Sequence, residues 1–570
     1  MIKLKTILKT LSIVYLAFSI AGCKTETARA TTYYVSNRGS DNASGKSPAT
    51  AWKTIEKVNS RKFSPGDSVL FEAGGVWRET LRINKSGAPG SYIVYSRFGV
   101  GANPQILGSV KAADWSKTGT ANIWKTSTAI TNFSQEHYAG RMFFVKNDSV
   151  AWGRFVGFDN GFSNLTSEFD YTVNGTVHYI FSVGDPNSLY ESVEVAQRKF
   201  CVQTDNTSYI EMNGIDLMYS RYSGYFSGYP EYRGASNLII RNCNIGYIGR
   251  KGSGYAYGIE MWHSNSIVEN CTITDCGRRA ISMNLYNVPF PPGQERAISN
   301  VVIRNNVFKR GYHTTGLDLA CNRGSGDTIR NIYYYNNIHD DSELAVTPED
   351  ETSNQLFLYN IAGDYVNEIY VYNNIFIKAT ARNILAMGCD SLYFWNNTFV
   401  GHNPKITAHP YGNVTLNGTR NLDYRNNILY DNLPKSKIYN YGLHAWGSNT
   451  NYIERDYNLY FSENPQTDRC FTSIYVKEED RNYYYTTTVW NEYRYKFPGY
   501  DKNSPRPQNP AFIDYKNHNF RLTENSPAKM SGTAVEKIIS VNQTIIDTLG
   551  IYDFSGALRS KTSPSIGAFE

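Results

Sequence analysis

"SNSIVENCTITDCGRRAISMN" (residues 264–284) reads as short strands divided by corners. The apolar pair Ile267–Val268 leads into Asn270–Cys271. A second run, Thr272 to Thr274, reaches a turn at Asp275–Gly277, and the chain restarts at Ala280–Met283. The same grammar returns in "NLIIRNCNIGYIG" at Asn242, "NVVIRNNVFKRG" at Asn305 and "NIYYYNNIHDD" at Asn336. It continues in "EIYVYNNIFIKA" at Asn373, "SLYFWNNTFVGH" at Asn396 and "NLDYRNNILYDN" at Asn426. From Asn242 through Asn270 to Asn426 the steps are 28, 35, 31, 37, 23 and 30 residues. A strand-built period of about 20–50 residues is the signature of a solenoid, in which each unit is too thin to bury its own apolar face. β-Branched and aromatic alternation, punctuated by Gly, Asn and Asp, makes the units β rather than helical.

A coil of two or three such strands per repeat resembles the right-handed parallel β-helix. That resemblance implies an all-β fold in which the recurrent asparagines form an internal amide ladder, one rung of about 4.8 Å per coil. The stretch "TTYYVSNRGSDNASGKSPATAWKTIEKVN" (31–59) supplies a strand, a loop and a short amphipathic helix. "FSPGDSVLFEAGGVWRETLRINKSGAPGSYIVYSRFG" (63–99) follows with further strands. Together they resemble the N-terminal cap and first coils of secreted bacterial β-helix proteins acting on polysaccharides, both polysaccharide lyases and glycosidases. An open solenoid end exposes core and strand edges, so a cap is required physically.

The organisation expected along the chain is as follows. Residues 1–22 read as a lipoprotein signal peptide, with Lys3 and Lys5 before the apolar run Leu11 to Ile20 and "IAGC" at its end. Cys23 is then the lipidated first residue of the mature protein, and the apolar run is too short to span a membrane. Lys24 after the cysteine resembles the sorting of Gram-negative outer-membrane lipoproteins. Residues 23–30 form a tether, 31–111 the N-terminal cap and first coils, and 112–190 a small antiparallel β insertion. The main parallel β-helix occupies 191–470. A Tyr-rich excursion and closing segment take 471–570.

Lys and Arg number 57 against 51 acids, a net charge of +6, and Tyr reaches 45 with 9 Trp. Basic residues with exposed aromatics suit an acidic, ring-containing ligand, an acidic polysaccharide or oligosaccharide. No Lys/Arg-dense run or nucleic-acid motif is present, so no nucleic-acid partner is expected. The chain is expected to act as a monomer. Seven cysteines follow Cys23. Cys243 and Cys271 share one repeat position and read as stacked, buried residues rather than a bridge, and none has zinc-ligand spacing with His.

Strand alternation locates the chemistry. In "YGIEMWH", Ile259 and Met261 turn inward, leaving Glu260 and Trp262 outside. "RAISMN" projects Ser282 and Asn284, "TGLDLA" projects Asp318, and "YGLHAW" projects His444 several coils on. If these strands share a sheet, Glu260 and Asp318 lie two rungs apart, on the order of 9.5 Å. Lys251, Tyr255, Tyr257, His263, Arg278, Arg279, Tyr286 and His313 fall on the same coils.

An elimination on a uronate needs a cation for the carboxylate, a base for the C5 proton and an acid for the leaving oxygen. Arg278 or Arg279 supplies the first, His313 or His263 the second, and Tyr257 or the other histidine the third. Lys251, Arg278, Trp262, Asn284 and Tyr286 are expected to bind substrate. The reading is therefore an exported carbon–oxygen lyase. The same surface suits an inverting glycoside hydrolase using Glu260 and Asp318, whose separation leaves room for a water. Resemblance also admits a dehydratase acting on unsaturated oligosaccharides, or a non-catalytic glycan-binding lipoprotein with Trp262 and Tyr286 as stacking platforms. "HDDSELAVTPEDET" (339–352) gathers Asp340, Asp341 and Glu343, hard oxygen donors that suit Ca²⁺.

Overall fold

The computed structural model describes residues 29–128, 141–158, 161–228, 235–250, 255–285, 297–321, 326–343, 354–360, 365–402, 413–431, 440–446, 450–463, 470–541 and 544–570. Lys251, Tyr286 and Cys23 lie outside them. The chain is a right-handed parallel β-helix of three long sheets with 12, 11 and 12 strands. Strands of one coil go in turn to the first, second and third sheet. Leu238–Arg241, Asn244–Ile248 and Tyr257–Glu260 make one such coil, and Ser266–Glu269, Thr272–Cys276 and Arg279–Asn284 the next. Inward residues stack in columns. In the second sheet Ile245, Ile273, Phe308, His339, Phe376 and Phe399 follow one another in register. His339 lies flat between Phe308 and Phe376, with ring centroids 4.9 and 4.7 Å away.

The recurrent asparagines occupy one position on successive coils, but their role differs from the sequence expectation. Asn242, Asn270, Asn305, Asn336, Asn373, Asn396 and Asn426 all take left-handed backbone, with φ between 54° and 60°. Asn tolerates that region at the corner between two sheets better than other side-bearing residues. The internal ladder is one residue later: Asn306, Asn337, Asn374, Asn397, Asn427 and Asn458. Each Nδ2 in this series from Asn306 to Asn427 donates to the Oδ1 of the next at 3.0–3.2 Å. The same Oδ1 also accepts the preceding residue's backbone N–H at 3.0 Å. Cys243 and Cys271 hold the ladder position on the two earlier coils. All seven described cysteines are buried.

Asn374 shows what the ladder contributes. Its amide serves Asn337 and the Tyr334 carbonyl on the preceding coil and Asn397 on the following one. Truncation strands several buried polar groups at about 1–3 kcal/mol each. Asn374→Ala is therefore expected to destabilise the chain by about 3 kcal/mol or more, measured as a lower midpoint of chemical unfolding.

At the N-terminal end, Trp52, Ile55, Val58, Phe63 and Trp77 plug the solenoid. The helix Ile55–Asn59 is capped by Thr54, whose side chain accepts the Lys57 N–H. The insertion is wider than its sequence suggests. Ser109–Ala112 and Ser192–Ala196 pair antiparallel at its base, so the excursion runs from 109 to 196. It forms a four-stranded and a five-stranded sheet. Phe143 and Trp152 from it pack on Tyr219 and Tyr247 of the second sheet.

After the last coil strand, Cys470–Val476, the antiparallel strand Arg481–Thr486 and the helix Trp490–Lys496 close the far end. There Arg455 and Asp501, both fully buried, pair at 3.0 Å. The remaining chain returns along the outside. Val535, Ile539, Val541 and Leu549 cover Tyr333, Tyr335, Tyr370, Tyr372 and Trp395 of the first sheet. Phe520, Ala568 and Phe569 cover Ile375, Ile377, Val400 and Tyr430 of the second. This corrects the reading of Tyr abundance as glycan-facing surface: these Tyr columns are an outer core roofed by the chain's own C-terminal segment. The corner asparagines hold that segment too, with Asn373 Nδ2 donating to Tyr552 O and Asn426 Nδ2 to Thr533 O. Among the described residues no helix is long and apolar enough to cross a membrane.

Candidate active site

The third sheet carries the titratable residues on its outward columns. Its inward positions, Ile259, Ile281, Met283, Leu317, Leu319, Leu356, Leu358 and Ile384, belong to the main core. Between them Glu260, Ser282, Asp318, Phe357, Leu385, Thr415 and His444 stand in one register column. Tyr257, Arg279, Thr314, Asn354 and Arg382 form a second column beside it. Glu260 and Asp318 are thus two rungs apart, on the order of 9.5 Å.

Asp318 organises the cluster from below. It is fully buried, and its Oδ2 accepts Arg279 Nε at 2.6 Å. Thr314 Oγ1 donates to the same oxygen at 3.4 Å, and His313 Nδ1 lies 3.9 Å from it. Oδ1 has no hydrogen-bond partner. Arg279 Nη1 donates to Tyr257 Oη at 3.1 Å, with the guanidinium carbon 5.4 Å from the Tyr257 ring centroid. Burial opposes the charge on Arg279, but Asp318 and Tyr257 outweigh it and hold the group above its ordinary value. Arg279 is therefore a fixed cation. Burial pushes Tyr257 up to about 12, against the pull of Arg279.

His313 lies part-buried beside this cluster, with its ring edge-on to Phe357 at 5.8 Å. Burial, then the neighbouring charge of Arg279, lowers it to about 4, so the imidazole is neutral near pH 7. Its Nδ1 meets Thr314 Oγ1 at 2.9 Å. The single Thr314 proton goes to the acceptor-only Asp318, so Nδ1–H must be the donor to Thr314. Nε2 is then left as an unprotonated acceptor. This tautomer is assigned from the bonding pattern.

Glu260 is part-buried and accepts Ser223 Oγ at 2.9 Å. Burial raises it to about 7, opposed by Ser223 and Arg279. A carboxylic acid that keeps its proton near neutrality is suited to general-acid work.

Other expected residues are placed differently. His263 is not at this surface. Only 1% exposed, it meets the Thr207 carbonyl through Nε2 at 2.9 Å, and burial lowers it to about 4. The alternation that turns Ile259 and Met261 inward turns His263 inward too. Asp318 is fully buried beneath Arg279, so it lacks the access a hydrolytic base requires. Arg278 is part-buried beside the cluster, and its backbone carbonyl accepts the N–H groups of His313 and Thr314. Trp262 is half-buried, and its Nε1 donates to the Asn284 carbonyl at 2.9 Å. Asn284 keeps its outward, part-buried place on the sheet.

Of the acidic run only residues 339–343 are described, and their carboxylates are held by the protein's own side chains. Asp341 is fully buried and accepts Thr315 Oγ1 and Gln355 Nε2. Asp340 faces His518 at 3.4 Å, and Glu343 pairs with Arg310 at 2.7 Å. No two of these three carboxylates share a side-chain partner, and among the described residues no three His, Cys, Asp or Glu side chains converge as a metal site. Ser223, Thr314 and Phe357 were not legible as site residues. Ser223 stands one rung before Tyr257 in register, a relation visible only once the coils are aligned.

No protein-family model matches the chain, and no curated protein matches it. Among solved structures, XylC in complex with xylose is similar at 13% identity and a TM-score of 0.49, covering 94% of this chain and 98% of that one. Pectate lyase Pel9A is similar at 13% identity and a TM-score of 0.48, covering 95% and 96%. The GH136 lacto-N-biosidase from Eubacterium ramulus shows 14% identity and a TM-score of 0.43, covering 78% of this chain and 65% of its own.

Proposed function

We propose that the chain is a carbohydrate-active enzyme that cleaves an acidic, uronate-containing glycan by β-elimination. One observation carries the reading: a neutral histidine with an open Nε2 stands beside an arginine whose charge is fixed by a buried carboxylate. Arg279 uses Nε on Asp318 and Nη1 on Tyr257, leaving Nη2 for a substrate carboxylate. Neutralising that carboxylate acidifies the adjacent C5–H, and His313 Nε2 takes the proton. The electron pair forms the C4=C5 double bond as the C4–O bond breaks. Protonated Glu260 gives its proton to the departing oxygen. The products are a 4,5-unsaturated uronate and a free hydroxyl on the leaving sugar, and atoms and charge balance without water. Asp318 and Thr314 act as positioning residues, Asp318 on the guanidinium and Thr314 on the imidazole.

The test is incubation with a panel of acidic glycans, followed by ultraviolet absorbance for the conjugated uronate. New absorbance that grows with scission supports the reading. Scission without it contradicts the elimination step, and Glu260 would then be examined as the acid of a hydrolase.

The signal sequence and "IAGC" further support export and anchoring through Cys23 to the outer membrane of a Gram-negative cell. Cys23→Ala is expected to move the protein from the membrane fraction to the soluble one. An unchanged distribution on fractionation would remove the anchor from the account.

A further inference from the structure

The third sheet bears a second arginine in the same columns as the first. Arg382 follows Arg279 in the column Arg279, Thr314, Asn354, Arg382, three rungs on and about 14 Å away. His444 stands in the Glu260–Asp318 column and bonds Ser473 Oγ through Nδ1. The Tyr484 ring, 53% exposed, lies nearly parallel to His444 at 6.4 Å. Arg382 Nη1 donates to Asn354 Oδ1 at 3.3 Å, which steadies the guanidinium at the sheet surface. Between the two arginines the sheet presents Phe357, Tyr359 and Leu385, and the two aromatic rings stack at 5.3 Å. Beside His444, Thr415 is 1% exposed, and its Oγ1 has no hydrogen-bond partner. A buried hydroxyl left unbonded costs free energy unless something other than the protein satisfies it.

We infer that Arg382, His444 and Thr415 form a distal carboxylate-binding subsite, so that the enzyme selects glycans long enough to place a second acidic sugar there. This rests on the proposed reading of Arg279 as a carboxylate clamp. Two cations spaced by an aromatic and aliphatic floor match a chain of sugar rings with acids at both ends. Sugar rings supply apolar faces to Phe357 and Tyr359, and the acids supply charge to the two arginines. A monosaccharide cannot reach both clamps; an oligomer can. Tyr484, next to Ser473 in register, closes the row.

The experiment is calorimetric binding of mono- to octasaccharides of galacturonate, glucuronate and mannuronate–guluronate to the full chain, to Arg382→Ala and to Thr415→Val. For a series that binds, affinity is expected to step up about 10- to 100-fold at the length that spans both clamps, the worth of a charge-assisted hydrogen bond. Arg382→Ala should remove the step while leaving the shorter oligomers unchanged, and Thr415→Val should shrink it. A smooth length dependence, a step untouched by Arg382→Ala, or no binding by any series overturns the subsite. If the step persists but no glycan gains an unsaturated end, the subsite stands and the elimination chemistry falls. If elimination proceeds without the step, the reverse holds.

Discussion

Replacing His313 by alanine is expected to lower turnover of the cleaved glycan by about 10²–10⁴-fold, the usual share of a general base. The fold should be unaffected, because His313 is only part-buried and its side chain's one strong bond is to Thr314. Arg279 demands more care. Removing it leaves Asp318 as an uncompensated buried charge, at a cost of about 3–5 kcal/mol. Arg279→Ala should therefore lose both activity and stability. Arg279→Lys separates the two effects, since it keeps a cation over Asp318 but loses the planar fork that serves Asp318, Tyr257 and substrate together. Its rate is expected to fall about 10²–10³-fold, with a thermal midpoint near that of the unaltered chain. Full activity in both His313→Ala and Arg279→Lys would remove the base and the clamp from the mechanism.

The second large effect is on pH. The base must be unprotonated, so kcat/KM should rise as pH climbs through about 4, where His313 is held by burial and by Arg279. The acid must be protonated, so the rate should fall as pH climbs through about 7, where burial holds Glu260. The expected profile is a bell confined to mildly acidic pH. Glu260→Gln cannot deliver a proton. It should lower the rate by about 10²-fold or more and abolish the alkaline limb, leaving the acid limb in place. A profile still rising above pH 8 in the unaltered chain would assign the proton donor to a group of higher pKa, with Tyr257, pushed up to about 12, next in line.

Much of the solenoid was legible because its physics is periodic. The spacing of asparagines gives the coil, and the period-2 alternation places Glu260, Ser282, Asp318 and His444 outward in one column, as the register has them. Depth was harder to read. Asp318 is outward by parity yet fully buried, because Arg279 and Thr314 close over it. Parity did place His263 inside, but its identity as a titratable residue masked that signal. The Asn–Asn pairs carry two functions, a left-handed corner and an amide ladder, and the sequence alone does not divide them. Tyr333 and Tyr370 look like exposed platforms in isolation. Only the returning C-terminal segment, more than 150 residues further on, shows them to be an outer core.

The claim at the centre of this account is that the glycosidic carbon–oxygen bond breaks without water. Mass spectrometry of products formed in isotopically labelled water tests it most directly. Elimination predicts fragments that carry no solvent oxygen at the cleavage point, one of each pair bearing an unsaturated uronate. Fragments that each gain water in total, with the label at the new reducing end and no unsaturated partner, would contradict it.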